Sequence, residues 1–360
     1  MIFMKVIEGS GALDALSSLI IEKFHRFPAV LLVLIMLIIM FPGMITGSST
    51  AAVLSAGSIM APVLALMGID AVTSGSIIAM GALLGMIAPP VNTAALIICA
   101  GIDVPYVGFE GPLALITFPL AILFVLLLGY KQARHMDYEK LKPALEKQDA
   151  IRKQYGVRIY IPLLVLVALM VIFKVLKLGE DIGMPLMFLI SAAVGLFTGK
   201  KINVLTAVPE AIRTAAPVMG ILMGVGMFIE VMTATGVRGL VVISCLRLPS
   251  TLWLLACAIS IPLFGAVSSY GACSVLGVPF AYIYASLLGG NSVVVLAAIS
   301  LIAAVGDMMP PTALAGLFAA QVTGVEKYTK ILKRCIVPII ILLVYACFFL
   351  ANSKLIAGLF

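Results

Sequence analysis

The chain has 360 residues, of which 63% are hydrophobic and only 11% are charged, and its formal net charge is +7. A soluble domain carries about 25% charged residues, so this composition excludes a soluble globular protein and predicts an all-α polytopic membrane protein. The two histidines and six scattered cysteines form no metal-ligand or catalytic pattern, so neither an enzyme nor a bound cofactor is predicted. The basic excess lies in loops, which indicates cytoplasmic segments rather than nucleic-acid binding.

The first apolar stretch, residues 28–67, follows an amphipathic segment, residues 10–24, that is typical of a helix lying at the membrane interface. It consists of two apolar segments around a tip of Gly47, Ser48 and Ser49, with no charged loop between them. This pattern favours a re-entrant helical hairpin over the alternative, which is two spanning helices joined by a tight turn.

The next apolar stretch, residues 72–101, contains the adjacent prolines Pro89 and Pro90. Two prolines remove two backbone donors, and their rings clash with the preceding helical turn. The residue before a proline is also pushed out of helical dihedral angles. We therefore expect this helix to break near Ala88 and to restart at about Val91. Broken backbone at membrane depth is tolerated only where it is buried in protein or lines a cavity.

A hydrophilic stretch, residues 131–158, follows the next predicted span. Its basic residues outnumber its acidic ones, which places this linker in the cytoplasm. The linker divides the chain into a first repeat, residues 1–130, and a second repeat, residues 159–360.

The second repeat is predicted to contain the same two features in the same order. A hairpin is expected over residues 251–288 and a broken helix over residues 293–323. The residues at the tip and at the break are Ser268, Ser269, Tyr270, Gly271, Pro310 and Pro311. The Pro-Pro pairs of the two repeats are 221 residues apart. Counting crossings between the basic clusters gives the two repeats opposite orientations, as in inverted-repeat transporters.

The two repeats differ at their beginnings. The second repeat has three apolar segments before Gly236, whereas only about ten residues precede the corresponding Gly11. Two and a half helices of the second repeat thus have no counterpart in the first. We expect that the chain is truncated at its N-terminus; the alternative is that the first repeat lost these helices.

Polar residues cluster at the predicted tips and breaks, which meet near the membrane midplane in transporters built in this way. A break exposes carbonyl groups that suit a small cation and N–H groups that suit a carboxylate. Hydroxyl and amide oxygens are hard ligands, which fit Na⁺ or H⁺ coupling rather than a transition metal. The alternative is that they only hydrogen-bond between helices. These residues are Ser48, Ser49, Thr50, Asn92, Thr93, Ser268, Ser269 and Thr312.

Asp307 lies three residues before the second Pro-Pro pair, inside an apolar stretch. A charged side chain at the bilayer centre costs about 2.5–3.5 kcal/mol on insertion scales, and such residues are functional by default. The counterpart in the first repeat is Met86, so only one repeat carries the charge. We predict that Asp307 belongs to a cation or proton site; the alternative is a structural pairing with a neighbouring helix end.

The run from Gly43 to Pro90, GMITGSSTAAVLSAGSIMAPVLALMGIDAVTSGSIIAMGALLGMIAPP, resembles the large permease subunit of TRAP (tripartite ATP-independent periplasmic) transporters. That family, within the ion transporter superfamily, has a Gly-Ser-Ser hairpin tip, a following Gly and Pro, and a Pro-Pro break at similar spacing. The second half, with DMMPPTA, is similar but looser. The resemblance covers nearly the whole chain except the hydrophilic linker.

The resemblance implies an elevator-type, Na⁺-driven importer of organic acids, commonly C4-dicarboxylates or sugar acids, in the cell inner membrane. It also implies two partners, a small membrane subunit and a periplasmic solute-binding protein. One implied cation site comprises Ser48, Ser49, Asn92 and Thr93, and the other comprises Ser268, Ser269, Asp307 and Thr312. The substrate would lie between them, beside Gly47, Thr50, Pro90, Gly271 and Pro311.

Two other functions stay open at this point. A stand-alone carrier of the same superfamily would need no binding protein, and the pair Asn92-Thr93 after the prolines resembles the divalent anion carriers. A truncated, non-transporting membrane protein is the other, and the short first repeat favours it. No arginine falls at the predicted tips or breaks, so a carboxylate substrate would be held by backbone and hydroxyl groups, which fit many anions.

Overall fold

The structure is a computed structural model that describes residues 2–134, 152–175 and 184–360. In those ranges the chain is built from helices, without a strand. Five helical segments there are long and apolar enough to cross a membrane: Pro28–Thr46, Ser49–Leu66, Glu110–Ala133, Arg152–Met170 and Tyr328–Ala351. The prediction of a helical polytopic membrane protein is therefore confirmed.

The helices are, in chain order, α1 (Ile2–Ser10), α2 (Ala12–Phe24), α3 (Pro28–Thr46), α4 (Ser49–Ala52), α5 (Ser58–Leu66), α6 (Ala71–Ile87), α7 (Thr93–Gly101), α8 (Glu110–Ala133), α9 (Ile161–Val175), α10 (Met184–Thr198), α11 (Val204–Ala234), α12 (Val237–Leu246), α13 (Ser250–Ala281), α14 (Ser292–Ala304), α15 (Leu314–Thr323), α16 (Tyr328–Ala351) and α17 (Ser353–Ala357). Short π-helical turns at Val53–Gly57 and Tyr282–Leu287 continue α4 and α13, and 3₁₀ turns at Gly156–Tyr160 and Val305–Met308 precede α9 and follow α14.

Helices α6 and α14 lie at the centre of the molecule. Every residue of α6 from Thr73 to Ile87 is buried, and so is every residue of α14 from Val294 to Ala304. A helix that is apolar all round is a core element, and the Gly, Ala and Ser residues of α6 let its neighbours approach closely. Helix α3 packs against both α6 and α8, and α13 packs against α14.

Both central helices break where the sequence predicts. Helix α6 ends at Ile87, and Ala88 is extended, with φ −63° and ψ 150°. The chain becomes helical again at Thr93 rather than at Val91, because Asn92 stays extended and caps α7 by accepting a hydrogen bond from the Ala95 N–H at 2.9 Å. The second break separates α14 and its 3₁₀ turn from α15. The Pro-Pro peptide bond is cis at both breaks.

The elements around the two breaks recur at the spacing of the Pro-Pro pairs. Helices α6 and α14 begin at residues 71 and 292, and α7 and α15 begin at residues 93 and 314. Asp70 and Asn291 are the N-caps of α6 and α14, and each pair is 221 residues apart. Each cap accepts a hydrogen bond from the N–H three residues later, that of Thr73 or Val294. Local capping chemistry thus repeats along with the prolines.

Helix α13 folds back on itself. The Cys273 thiol lies 2.9 Å from the carbonyl oxygen of Ile261, twelve residues earlier, whereas twelve residues of a straight helix rise about 18 Å. Gly265 also lies against the Cys273 sulfur. The reversal therefore falls between Gly265 and Cys273, which includes the predicted tip. It leaves two apolar arms, Leu252–Ala266 and Cys273–Leu287.

The two hairpins open toward opposite ends of α8. After the first hairpin, Asp70 hydrogen-bonds Gln132 at the end of α8. After the second hairpin, Gly290 packs against Ser353, which follows α16. Helices α8 and α16 run antiparallel: Ile331, early in α16, contacts Gly75, close to Asp70, whereas the Tyr345 hydroxyl, late in α16, donates to the Leu115 carbonyl, early in α8. The end of α16 therefore lies beside the beginning of α8, away from Gln132.

Helical structure extends into the predicted hydrophilic linker, residues 131–158, from both of its ends. Helix α8 continues to Ala133, and residues 152–155 are helical again. Lys, Arg and Gln are good helix formers, so a polar sequence does not by itself end a helix. Residues 135–151 lie outside the described residues. The division into two repeats at this linker stays a prediction.

We expect the hydrogen bonds that Asp70 accepts from Thr73 and Gln132 to make the stability of the fold depend on pH. Asp70 lies in the connection between α5 and α6, outside the membrane-spanning helices. Partial burial raises the pKa of its carboxyl group, but hydrogen bonds from Thr73 and Gln132 outweigh that effect and hold the pKa below the usual 3.8. A depressed folded-state pKa stabilises the fold above about pH 3.8, and that contribution is lost as the pH falls through the folded-state value.

The measurement is the melting temperature of the detergent-solubilised protein from about pH 5 to pH 3. The melting temperature should fall less steeply in Asp70→Asn than in the wild type, because the amide still caps α6 but does not titrate. Equal slopes in the two proteins would show that Asp70 does not carry this pH dependence.

Candidate cation and substrate site

The tip of the first hairpin is hydrogen-bonded to the first helix break. The Thr93 hydroxyl donates to the Gly47 carbonyl at 2.8 Å, and the Val91 N–H donates to the Met44 carbonyl at 3.2 Å. Ser48 caps the short helix after the tip, because its hydroxyl accepts from the Ala51 N–H at 3.3 Å. The tip and the break are therefore held at a defined separation.

The second hairpin is tied to the second break in a similar way. The Thr312 hydroxyl, just after the prolines, donates to the Gly265 carbonyl at 2.9 Å. Both hairpins thus present a backbone carbonyl oxygen beside a threonine hydroxyl at a helix break. Carbonyl and hydroxyl oxygens are hard ligands of the kind that small cations prefer.

Each hairpin also touches its broken helix through a pair of glycines. A Cβ atom at Gly43 would lie 2.8 Å from the carbonyl carbon of Gly85, and one at Gly265 would collide with the Cα of Gly306. Gly85 and Gly306 are 221 residues apart, and both lie just before a Pro-Pro pair. Only a residue without a side chain lets two backbones come this close.

Asp307 connects the two halves of the chain. It is fully buried, and its Oδ2 accepts a short hydrogen bond from the hydroxyl of Ser49, at the tip of the first hairpin. Its Oδ1 accepts from the backbone N–H of Tyr270, at the reversal of the second hairpin, at 3.2 Å. The Tyr270 side chain in turn contacts Thr93. One carboxylate therefore joins both hairpins and lies near both breaks.

Asn92 makes a second connection between the halves. It is fully buried, and its amide nitrogen donates to the Ser300 hydroxyl of α14 at 2.8 Å, while its amide oxygen caps α7. Carbonyl oxygens have two lone pairs, so the capping bond leaves the amide oxygen with further acceptor capacity.

The structure brings together residues that the sequence assigned to separate sites. Ser49 from the first predicted cation site contacts Asp307 from the second. Thr93, also from the first site, contacts Tyr270, whose backbone N–H donates to Asp307. Thr312 lies against Gly265 in the second hairpin.

The remaining predicted site residues differ in exposure. Pro90 and Gly271 are buried and Thr50 is half-buried, whereas Pro311 is exposed. The side chains of Ser268 and Ser269 lie outside the described part of the structure.

Three polar residues of this region were not among the predicted site residues. Tyr270 lies at the predicted tip of the second hairpin, but its contact with Asp307 comes from the backbone, which no side-chain pattern reports. Ser300 is an isolated hydroxyl in an apolar helix, which is a weak sequence signal. Tyr106 lies fourteen residues after Asn92 in a loop, and nothing in the sequence links the two.

The ligand set at this point is made of oxygen atoms: a carboxylate, hydroxyls and main-chain carbonyls. Among the described residues, His, Cys, Asp and Glu nowhere form a group of three that could hold a metal ion. A hard-oxygen set with a single carboxylate suits a monovalent cation or a proton better than a transition metal.

Two broken helices, two hairpins that open at opposite ends and a buried carboxylate where they meet are features of helical secondary transporters. The family model described as "Tripartite ATP-independent periplasmic transporter, DctM component" matches residues 1–353. The chain belongs to this family, whose members are the permease components of TRAP-type secondary transporters. A comparison with curated proteins found no match.

Proposed function

We propose that this permease couples the uptake of an organic acid to Na⁺, with the cation held where Ser49 and Asp307 meet. The observation that carries the proposal is the fully buried Asp307 carboxylate, which hydrogen-bonds both hairpins. Ionisable residues inside membrane segments commonly mark ion pathways, and carboxylate and hydroxyl oxygens are hard ligands of the kind that small cations prefer. The carbonyls of Gly47 and Gly265 supply further oxygen atoms close by.

The hairpin geometry supports an inverted-repeat, elevator-type arrangement. The two hairpins open toward opposite ends of α8, and the arms of the second hairpin have about fifteen residues each. Fifteen helical residues rise about 22 Å, which is less than the hydrocarbon thickness of about 30 Å. In the proposed arrangement the second hairpin enters the membrane and turns back, and its tip meets the first hairpin at Asp307.

The substrate in this proposal is a carboxylate, such as a C4-dicarboxylate, bound beside the second break. Pro310 and Pro311 are exposed there, and the helix that follows offers N–H groups with a favourable dipole for an anion. Members of the family typically work with a small membrane subunit and a periplasmic solute-binding protein. We propose both as partners, and the inner membrane as the location, with the linker in the cytoplasm.

Thermal unfolding of the purified protein in NaCl and in choline chloride at equal ionic strength tests the coupling ion. A ligand that binds only the folded state stabilises it by about 2.7 kcal/mol at one hundred times its Kd, so sodium should raise the melting temperature specifically. No sodium effect would contradict Na⁺ coupling. In that case, a melting temperature that depends on pH above about pH 5, outside the range in which Asp70 titrates, in the wild type but not in Asp307→Asn would indicate proton coupling.

A further inference from the structure

The first helix break is closed by a tyrosine from the following loop. The Tyr106 hydroxyl donates to the Pro90 carbonyl at 3.1 Å and accepts from the Asn92 N–H at 3.2 Å. It therefore satisfies, with one group, a carbonyl and an N–H that the broken helix leaves without helical partners. The Tyr106 ring stacks on the buried Phe109, with centroids 4.7 Å apart and planes at 11°.

Within the described ranges, the second break has no comparable loop. The connection between α7 and α8 runs from Ile102 to Phe109, eight residues, which is long enough to fold back over the break. The connection between α15 and α16 runs from Gly324 to Lys327, only four residues. Pro90 is buried, whereas Pro310 and Pro311 are exposed. The two breaks are therefore unequal: the first is closed by its own chain and the second is open.

Tyr106 is connected to the proposed cation site through contacts made by Asn92 and Thr93. It holds the backbone of Asn92, whose side chain caps α7 and donates to Ser300. The next residue, Thr93, donates to the Gly47 carbonyl, which directly precedes the serines of the first hairpin tip. Movement at the Asn92 backbone would displace Thr93 and with it the tip that contacts Asp307.

We infer that Tyr106 is a positioning residue for the cation site, acting through Asn92 and Thr93 rather than by contact with the ion. This inference rests on the proposed function. The first break would then hold the cation site together. The open second break, beside Asp307, would receive the substrate.

Tyr106→Phe tests the inference, because it keeps the ring that stacks on Phe109 and removes only the hydroxyl. The matched control is Tyr345→Phe, which removes a half-buried tyrosine hydroxyl that donates to the Leu115 carbonyl at 3.1 Å, away from the breaks. We expect the sodium concentration that gives the half-maximal thermal shift to rise about tenfold in Tyr106→Phe, since two hydrogen bonds are lost. It should not change in the control, and in choline the two variants should melt at similar temperatures.

Backbone amide exchange in choline provides a second readout. The Asn92 N–H should exchange faster in Tyr106→Phe than in the wild type or in Tyr345→Phe. A normal sodium response in Tyr106→Phe, or unchanged exchange at Asn92, would overturn the role of Tyr106 while leaving Na⁺ coupling intact. A wild type that does not respond to sodium at all would overturn the proposed coupling, and the inference with it.

Discussion

Replacing Asp307 by asparagine is expected to raise the sodium concentration needed for half-maximal thermal stabilisation by at least about a hundredfold. The substitution keeps the shape of the side chain and removes its charge, and losing one partner of a buried, hydrogen-bonded charge pair costs about 2–5 kcal/mol. In choline the variant should be at least as stable as the wild type, because a neutral amide does not carry the desolvation cost of a buried carboxylate. The measurement is a sodium titration of the melting temperature.

Asp103→Asn is the matched control for this experiment. Asp103 is exposed, and its backbone has a positive φ of 55°, a conformation that asparagine adopts as readily as aspartate. This variant should bind sodium like the wild type. A sodium response that Asp307→Asn retains in full would remove Asp307 from the proposed site and favour the alternative, that it only pairs the two hairpins structurally.

Gly85→Ala should destabilise the protein by about 3 kcal/mol, which is at the upper end of overpacking in a core. A Cβ at this position would lie 2.5 Å from the carbonyl oxygen and 2.7 Å from the Cα of Met40, and backbone atoms cannot move aside as a flexible side chain can. The expected result is a large loss of folded, monodisperse protein and a lower melting temperature in detergent.

Gly224→Ala separates this collision from an ordinary effect of adding a methyl group. Gly224 lies inside α11, and among the described side chains no atom lies within 4 Å of the position of its Cβ. Alanine favours a helix interior over glycine by roughly 0.5–1 kcal/mol, so this variant should be as stable as the wild type or more so. If Gly85→Ala were as stable as Gly224→Ala, the close contact between the backbones of α3 and α6 would be contradicted.

Much of the fold can be predicted from the sequence because prolines and caps act locally. Pro89 and Pro90 determine where the first central helix ends, since their effect extends only over the neighbouring turn. The restart is less predictable, because it depends on whether Asn92 caps the new helix or joins it. The reversal of α13 near Ser268 is also marked in the sequence, by small residues between two apolar arms.

The contacts across the site could not be predicted in the same way. Ser49 and Asp307 are 258 residues apart, and the sequence alone offered no reason to pair a serine of one repeat with a carboxylate of the other. The repeat itself argues against such a pairing, since it assigns each tip to its own break. Tyr106 was missed because a hydroxyl in a short loop has many possible partners, and only packing selects the one at Pro90.

The two glycine contacts have a mechanical consequence. Where backbone touches backbone, no change of side-chain rotamer can absorb a displacement, so we expect each hairpin to move together with its own broken helix. The hydrogen bond between Ser49 and Asp307 then couples these two units into a single block. We expect any rotation of this block to occur at connections outside it, and glycines in left-handed conformations lie at two such connections: Gly11, between α1 and α2, and Gly236, between α11 and α12.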